Sequence, residues 1–67
     1  MLGTIIKEYL IENGIKQAFL VDKTGLSASK ISDVCNHDRR IDAIEYYKIC
    51  KALNVDLDYF VKKLEGI

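Results

Sequence analysis

The chain has 67 residues, a formal net charge of zero at pH 7 and 49% hydrophobic residues. That is enough sequence for one small core and one domain, taken as residues 1–67. No apolar run approaches the ~20 residues of a membrane span, which excludes an integral membrane class. The absence of proline and tryptophan and the presence of only four glycines favour helices. The opening MLGTIIKEYL lacks a basic leader, a long apolar stretch and a small-residue cleavage site, so a cytoplasmic location is expected. In TIIKEYLIENG, Ile6, Tyr9 and Leu10 fall at helical spacing. Thr4 is expected to cap the start of this helix and Gly14 to end it in a left-handed conformation.

The next segment, KQAFLVDKTG, is short. Leu20, Val21 and Thr24 share a face and Gly25 stops the helix, while Lys16 is a poor cap for its start. Phe19 is left pointing outward. Ser27 is a good N-cap for a third helix over about 27–36. At about 100° per residue, its Ile31, Val34 and Cys35 gather on one side, and Ser29, Ser32, Asp33 and Asn36 on the other. Ala28 and Lys30 flank the two faces.

In DAIEYYKICKALN, Asp42 and Glu45 have the spacing of a capping box. Ala43, Tyr46, Cys50 and Leu53 are expected to turn inward, with Ile49 beside them, and Asn54 to stop the helix. DLDYFVKKL is expected to begin a fifth helix at Asp56, with acids early and lysines late to match the helix dipole. Leu57, Phe60, Val61 and Leu64 are its expected inner residues. The fold class is therefore all-α, five short helices without a strand.

A glycine-containing turn of three or four residues separates the second and third helices. Such a turn joins two helices at a steep angle, which defines a helix-turn-helix unit over about 16–36. The second helix of that unit can lie in the DNA major groove, where base edges present distinct donors and acceptors. Ser29 and Ser32 can donate or accept there, and Asp33 can accept from a cytosine amino group. Lys30, Arg39 and Arg40 can reach phosphates and set the register. A polar outer face is also what any solvated surface helix shows, so the face alone does not decide. The charge distribution adds a little. Between residues 16 and 40, Lys16, Lys23, Lys30, Arg39 and Arg40 stand against only Asp22, Asp33 and Asp38.

From Ile6 to about Phe60 the chain resembles the Cro/CI-type, XRE-like helix-turn-helix family. The resemblance rests on IKQAFLVDKTGLSASKISDVCN, with Gln17, Leu20, Gly25, Ser27, Ile31, Val34 and Asn36 in pattern. It rests also on KICKALNVDLDYF, with Leu53, Val55, Leu57 and Phe60 in the apolar positions. It implies a five-helix lambda-repressor-like domain that binds double-stranded DNA in a sequence-specific way as a homodimer and regulates transcription, as a repressor. By position, Gln17, Ala28, Ser29 and Asp33 would face bases, and Ser27, Asn36, Arg39 and Arg40 the backbone. Asn36 can alternatively be only a helix stop.

The sequence departs from the family pattern at several places. Val21 replaces a small residue, which would set the two helices farther apart. His37 replaces a common glycine, so the following loop is expected to turn differently. Leu10 and Cys35 stand where many members keep a buried arginine and glutamate, a double change that keeps the core apolar without stranding a charge. Ala28 cannot hydrogen-bond a base but can meet a thymine methyl. The reading face is therefore light, and affinity would come from pairing two domains. Self-association near the C-terminal end through Leu64 and Ile67 is one expectation.

A protein-interaction module or an antitoxin on the same fold is the rival reading, with Phe19 and the apolar residues Ile11, Ile41, Ile44 and Tyr47 as exposed contacts. An enzyme is not expected, because no nucleophile–base pair and no phosphate loop is present. Cys35, His37 and Cys50 do not complete a four-ligand zinc site, so no metal or other cofactor is expected. The two cysteines are read as reduced, buried small hydrophobes.

Overall fold

A computed structural model of the chain describes residues 2–66. Five helices make up the regular structure of these residues: α1 (Leu2–Glu12), α2 (Gln17–Thr24), α3 (Ala28–His37), α4 (Ala43–Leu53) and α5 (Tyr59–Leu64). Their order matches the five-helix expectation. Glycine and asparagine stops fall where the sequence placed them. Gly14 has φ 66° and Gly25 has φ 75°, and Asn54 ends α4 at φ 56°. Each occupies the left-handed region that closes a helix C-terminus.

Two helix starts differ from expectation. α1 begins at Leu2, so Thr4 lies inside its first turn and is not its cap. The orphan amide of Thr4 instead donates to Asp38 Oδ1 at 3.2 Å. A residue 34 positions away in sequence thus closes the start of α1, which local pattern reading does not see. α5 starts at Tyr59, three residues later than the acids suggested, because 57–58 form a turn.

The core is built from Ile6 and Leu10 of α1, Leu20 of α2, Ile31 and Cys35 of α3, Ile49, Cys50 and Leu53 of α4, and Phe60 of α5. Cys35 and Cys50 are free, buried thiols, and burial pushes both thiol pKa values up. Tyr9, Tyr46 and Tyr59 pack around this cluster. The Tyr46 hydroxyl donates to the Leu57 carbonyl and ties α4 to the turn before α5. Burial, with the Cys50 thiol second, pushes that phenol up to about 12.

The inner face of α4 carries Cys50, Leu53 and Ile49 as expected, with Tyr46 half-buried beside them, and departs from expectation only in its first turn. Glu45, Ile49, Cys50 and Leu53 are its buried residues, while Ala43 is exposed. The i, i+4, i+8 row through Glu45, Ile49 and Leu53 carries the contact. On α5 only Phe60 turns fully inward. Leu57, Val61 and Leu64 are 52%, 36% and 43% exposed. α5 packs mainly against α1, with Tyr46 of α4 at its start, and six residues so placed bury a single stripe through Phe60. Ile41 also differs, being half-buried against the core where exposure was expected.

Gly3 fixes how α1 lies on α3. A β-carbon there would stand 2.1 Å from the Val34 carbonyl oxygen and 3.1 Å from Asp38 Oδ1. The backbones approach too closely for any side chain. Gly3→Ala is expected to lower stability by about 1–3 kcal/mol, the range of an overpacked contact. Thermal melting checks it. A melting temperature equal to wild type would show that the first turn of α1 lifts off freely.

Candidate nucleic-acid interface

α3 is held as a reading helix needs to be held. Ser27 Oγ accepts from the Lys30 amide at 3.1 Å and caps its start. Ile31, Val34 and Cys35 seat it at 1%, 1% and 3% exposure. Thr24 and Gly25 shape the turn in front of it. The Thr24 hydroxyl donates to the Leu20 carbonyl at 2.5 Å and accepts from the Leu26 amide at 3.1 Å. α3 then runs one residue past the expected end, through His37. Asp38 takes the left-handed position with φ 52°, so the residue after His37 makes the turn that a glycine at 37 was expected to make. His37 itself is exposed at the helix end.

The outward face carries Ala28, Ser29 and Asn36 exposed, and Ser32 and Asp33 half-buried. Gln17 lies at the first position of α2 and reaches this face. Its Nε2 donates to Asn36 Oδ1 at 3.2 Å, and Asn36 Nδ2 donates to Ser32 Oγ at 3.1 Å. Gln17, Ser32 and Asn36 are thus joined, and Ser29 and Asp33 lie on the same side of the helix. Arg39 and Arg40 follow in the loop to α4, both exposed.

Lys30 has a task the sequence did not reveal. Its Nζ is 2.5 Å from Glu45 Oε2, and Arg39 Nη1 is 3.8 Å from Glu45 Oε1. Glu45 is only 6% exposed. It also accepts from the Asp42 amide at 3.2 Å, completing the expected capping box with Asp42 Oδ1 and the Glu45 amide at 2.7 Å. One carboxylate therefore caps α4 and anchors a cation from α3 and another from the loop between them. Its place in the i+4 row with Ile49 was the available signal, but its fit to the capping box hid the second role.

The Lys30 ammonium holds the Glu45 carboxyl below its ordinary value of 4.5. Burial works against this, and the Asp42 amide and the charges of Lys30 and Arg39 work with it. A lowered folded-state value contributes stability above the unfolded value, and that stability is lost as pH falls through the folded one. Wild type should therefore lose stability on acidification below about pH 5, where an unfolded Glu begins to protonate. Glu45→Gln should flatten that slope and lower stability at neutral pH by about 1 kcal/mol, since both cationic partners remain partly hydrated. Urea melts across pH check it. An unchanged slope would show that Glu45 is not the titrating group.

The glycine turn, the capped helix seated by three apolar side chains and the polar face beyond them define a DNA-binding helix-turn-helix domain. A family model described as Helix-turn-helix matches residues 6–60, and the chain belongs to that family, the Cro/CI-type, XRE-like helix-turn-helix proteins. The fold is all-α and lambda-repressor-like. No functionally described protein gives a significant match to the chain. Among the described residues no helix is long and apolar enough to cross a membrane.

Proposed function

We propose that this protein is a sequence-specific transcriptional repressor, a single domain that binds double-stranded DNA as a homodimer with α3 in the major groove. The observation that carries this reading is the outward face of α3, polar and accessible, on a helix whose other side is locked into the core. Ala28, Ser29, Ser32 and Asp33 would meet base edges, Ala28 through a thymine methyl and Asp33 through a cytosine amino group. Gln17 would face bases beside them, and Ser27, Asn36, Arg39 and Arg40 would hold the phosphates. Lys30 is shared between Glu45 and the DNA. Such a protein would act in the cytoplasm.

Pairing would use the exposed apolar residues at this end of the chain, Val61 and Leu64, three positions apart on α5, with Leu57 in the turn before it. Leu64 belongs to the self-association surface expected from the sequence; Ile67, its other member, lies outside the described residues. The test is selection from a randomised duplex pool by the purified protein. Enrichment of a two-fold symmetric site with half-sites about 34 Å apart is the expected result. Absence of binding even at low salt, where phosphate contacts are strongest, would sink the reading.

A second reading, a protein-interaction module or antitoxin, is favoured by one observation. Ile44 and Tyr47 on the outer face of α4 are 67% and 50% exposed, and Phe19 on α2 is 38% exposed beneath the Lys23 ammonium. Phe19→Ser should leave DNA binding intact and should matter only if a protein partner uses that ring.

A further inference from the structure

We infer that Asn36 is a positioning residue that biases the hydrogen-bond polarity of Ser32, so that a base presenting an acceptor is favoured opposite Ser32. This rests on the DNA-binding reading above. Gln17 offers a donor, Nε2, to Asn36 Oδ1 at 3.2 Å. A side-chain amide accepts at one end and donates at the other. With its oxygen committed to Gln17, the Asn36 amide must turn its nitrogen to Ser32, and Nδ2 does lie 3.1 Å from Ser32 Oγ.

The consequence falls on the hydroxyl. Ser32 Oγ receives a hydrogen bond from Asn36, and its own hydrogen remains to be given away. A hydroxyl that accepts one bond is polarised to donate a stronger second one. Ser32 therefore faces the groove chiefly as a donor, better suited to guanine O6 or N7, adenine N7 or thymine O4 than to the cytosine amino group, which would have only the one remaining lone pair of Oγ. Asp33, its neighbour, is an acceptor when ionised and requires the opposite. The light face of α3 is thus a polarised pair, one donor beside one acceptor, and the donor is set from α2 through two amides.

Asn36→Asp reverses the relay without removing it. A carboxylate accepts from Gln17 and from Ser32 alike, so the Ser32 hydrogen turns inward and its lone pairs face the groove. The experiment is selection from a randomised duplex pool with wild type, Ser32→Ala and Asn36→Asp. Comparison of wild type with Ser32→Ala identifies the base position that Ser32 reads. There, wild type should favour guanine, adenine or thymine over cytosine by about three- to tenfold, the scale of one neutral hydrogen bond. Asn36→Asp should move that one position towards cytosine and leave the order at the others intact, whatever it does to total affinity.

An unchanged preference at that position in Asn36→Asp would overturn the inference, as would Ser32→Ala altering no position. A wild-type protein that enriches no site would overturn the DNA-binding reading instead. The relay is then read without DNA, from side-chain amide resonances in nitrogen-15 spectra. Ser32→Ala should move the Asn36 NH2 pair and Asn36→Ala the Gln17 pair. Both pairs staying in place would show that the three side chains are not joined. Asn36 is exposed and neither residue belongs to the core, and dispersed backbone resonances in the same spectra confirm that each variant is folded.

Discussion

Phe60→Ala should leave much of the protein unfolded at room temperature. The ring is 0% exposed and meets Tyr9 and Tyr59 edge-to-face, at centroid distances of 5.4 and 5.1 Å. Tyr9 and Tyr59 meet each other at 5.5 Å, so three rings join α1 to α5. Truncating a buried phenylalanine costs about 3–5 kcal/mol. At about 0.05–0.15 kcal/mol per residue, a domain of this size has on the order of 3–10 kcal/mol in all. Urea titration followed by far-ultraviolet circular dichroism measures the change. A loss below about 1 kcal/mol would mean that α5 peels away while the other four helices hold, and would remove Phe60 from the cooperative core.

The second large effect concerns binding. The double variant Arg39→Glu/Arg40→Glu should weaken DNA affinity by about 100-fold or more at low salt, since two phosphate attractions become repulsions. Arg39→Gln/Arg40→Gln should weaken it less and should lower the salt slope by about two, one for each lost phosphate contact. Circular dichroism should change little in the Gln variant, because Arg39 is only a 3.8 Å partner of Glu45 and Lys30 keeps the closer contact. Fluorescence anisotropy against the selected site gives both numbers. Equal affinity in wild type and the charge-reversed protein would place the backbone contacts elsewhere.

Three of the helix stops were legible because they are local. Gly14, Gly25 and Asn54 carry their signal in a single residue that accepts positive φ. Ser27 and the Asp42–Glu45 box carry theirs within four positions. Which face turns inward was legible for α3, where apolar and polar residues separate cleanly. It was misjudged in the first turn of α4 and on much of α5, for different reasons. On α4 a buried carboxylate sits in the apolar row, and an acid is read as outward by default. On α5 the apolar residues outnumber the surface available to cover them, and a sequence does not state how many neighbours a short helix will have.

The candidate site divides in the same way. The polar face of α3 follows from spacing alone. The hydrogen bond from Gln17 to Asn36 and the ion pair from Lys30 to Glu45 join residues 19 and 15 positions apart, so they depend on the angle between helices. How α2 and α4 lie against α3, like the close approach of α1 to α3 at Gly3 and Val34, leaves no trace in periodicity. The closing of α1 by Asp38 belongs to the same class.

The Gly3–Val34 contact has a practical meaning for redesign. The tilt of α3 against α1 is limited there by main chain on main chain, and no side chain of the outward face takes part. Ala28 and Ser29 touch nothing that sets this tilt and can be exchanged for longer or charged residues without refitting the scaffold. A library varied at those two positions, with Gly3, Asp38, Glu45 and Lys30 left alone, would yield a set of domains that share one seating of α3 on the core and differ in the face they present.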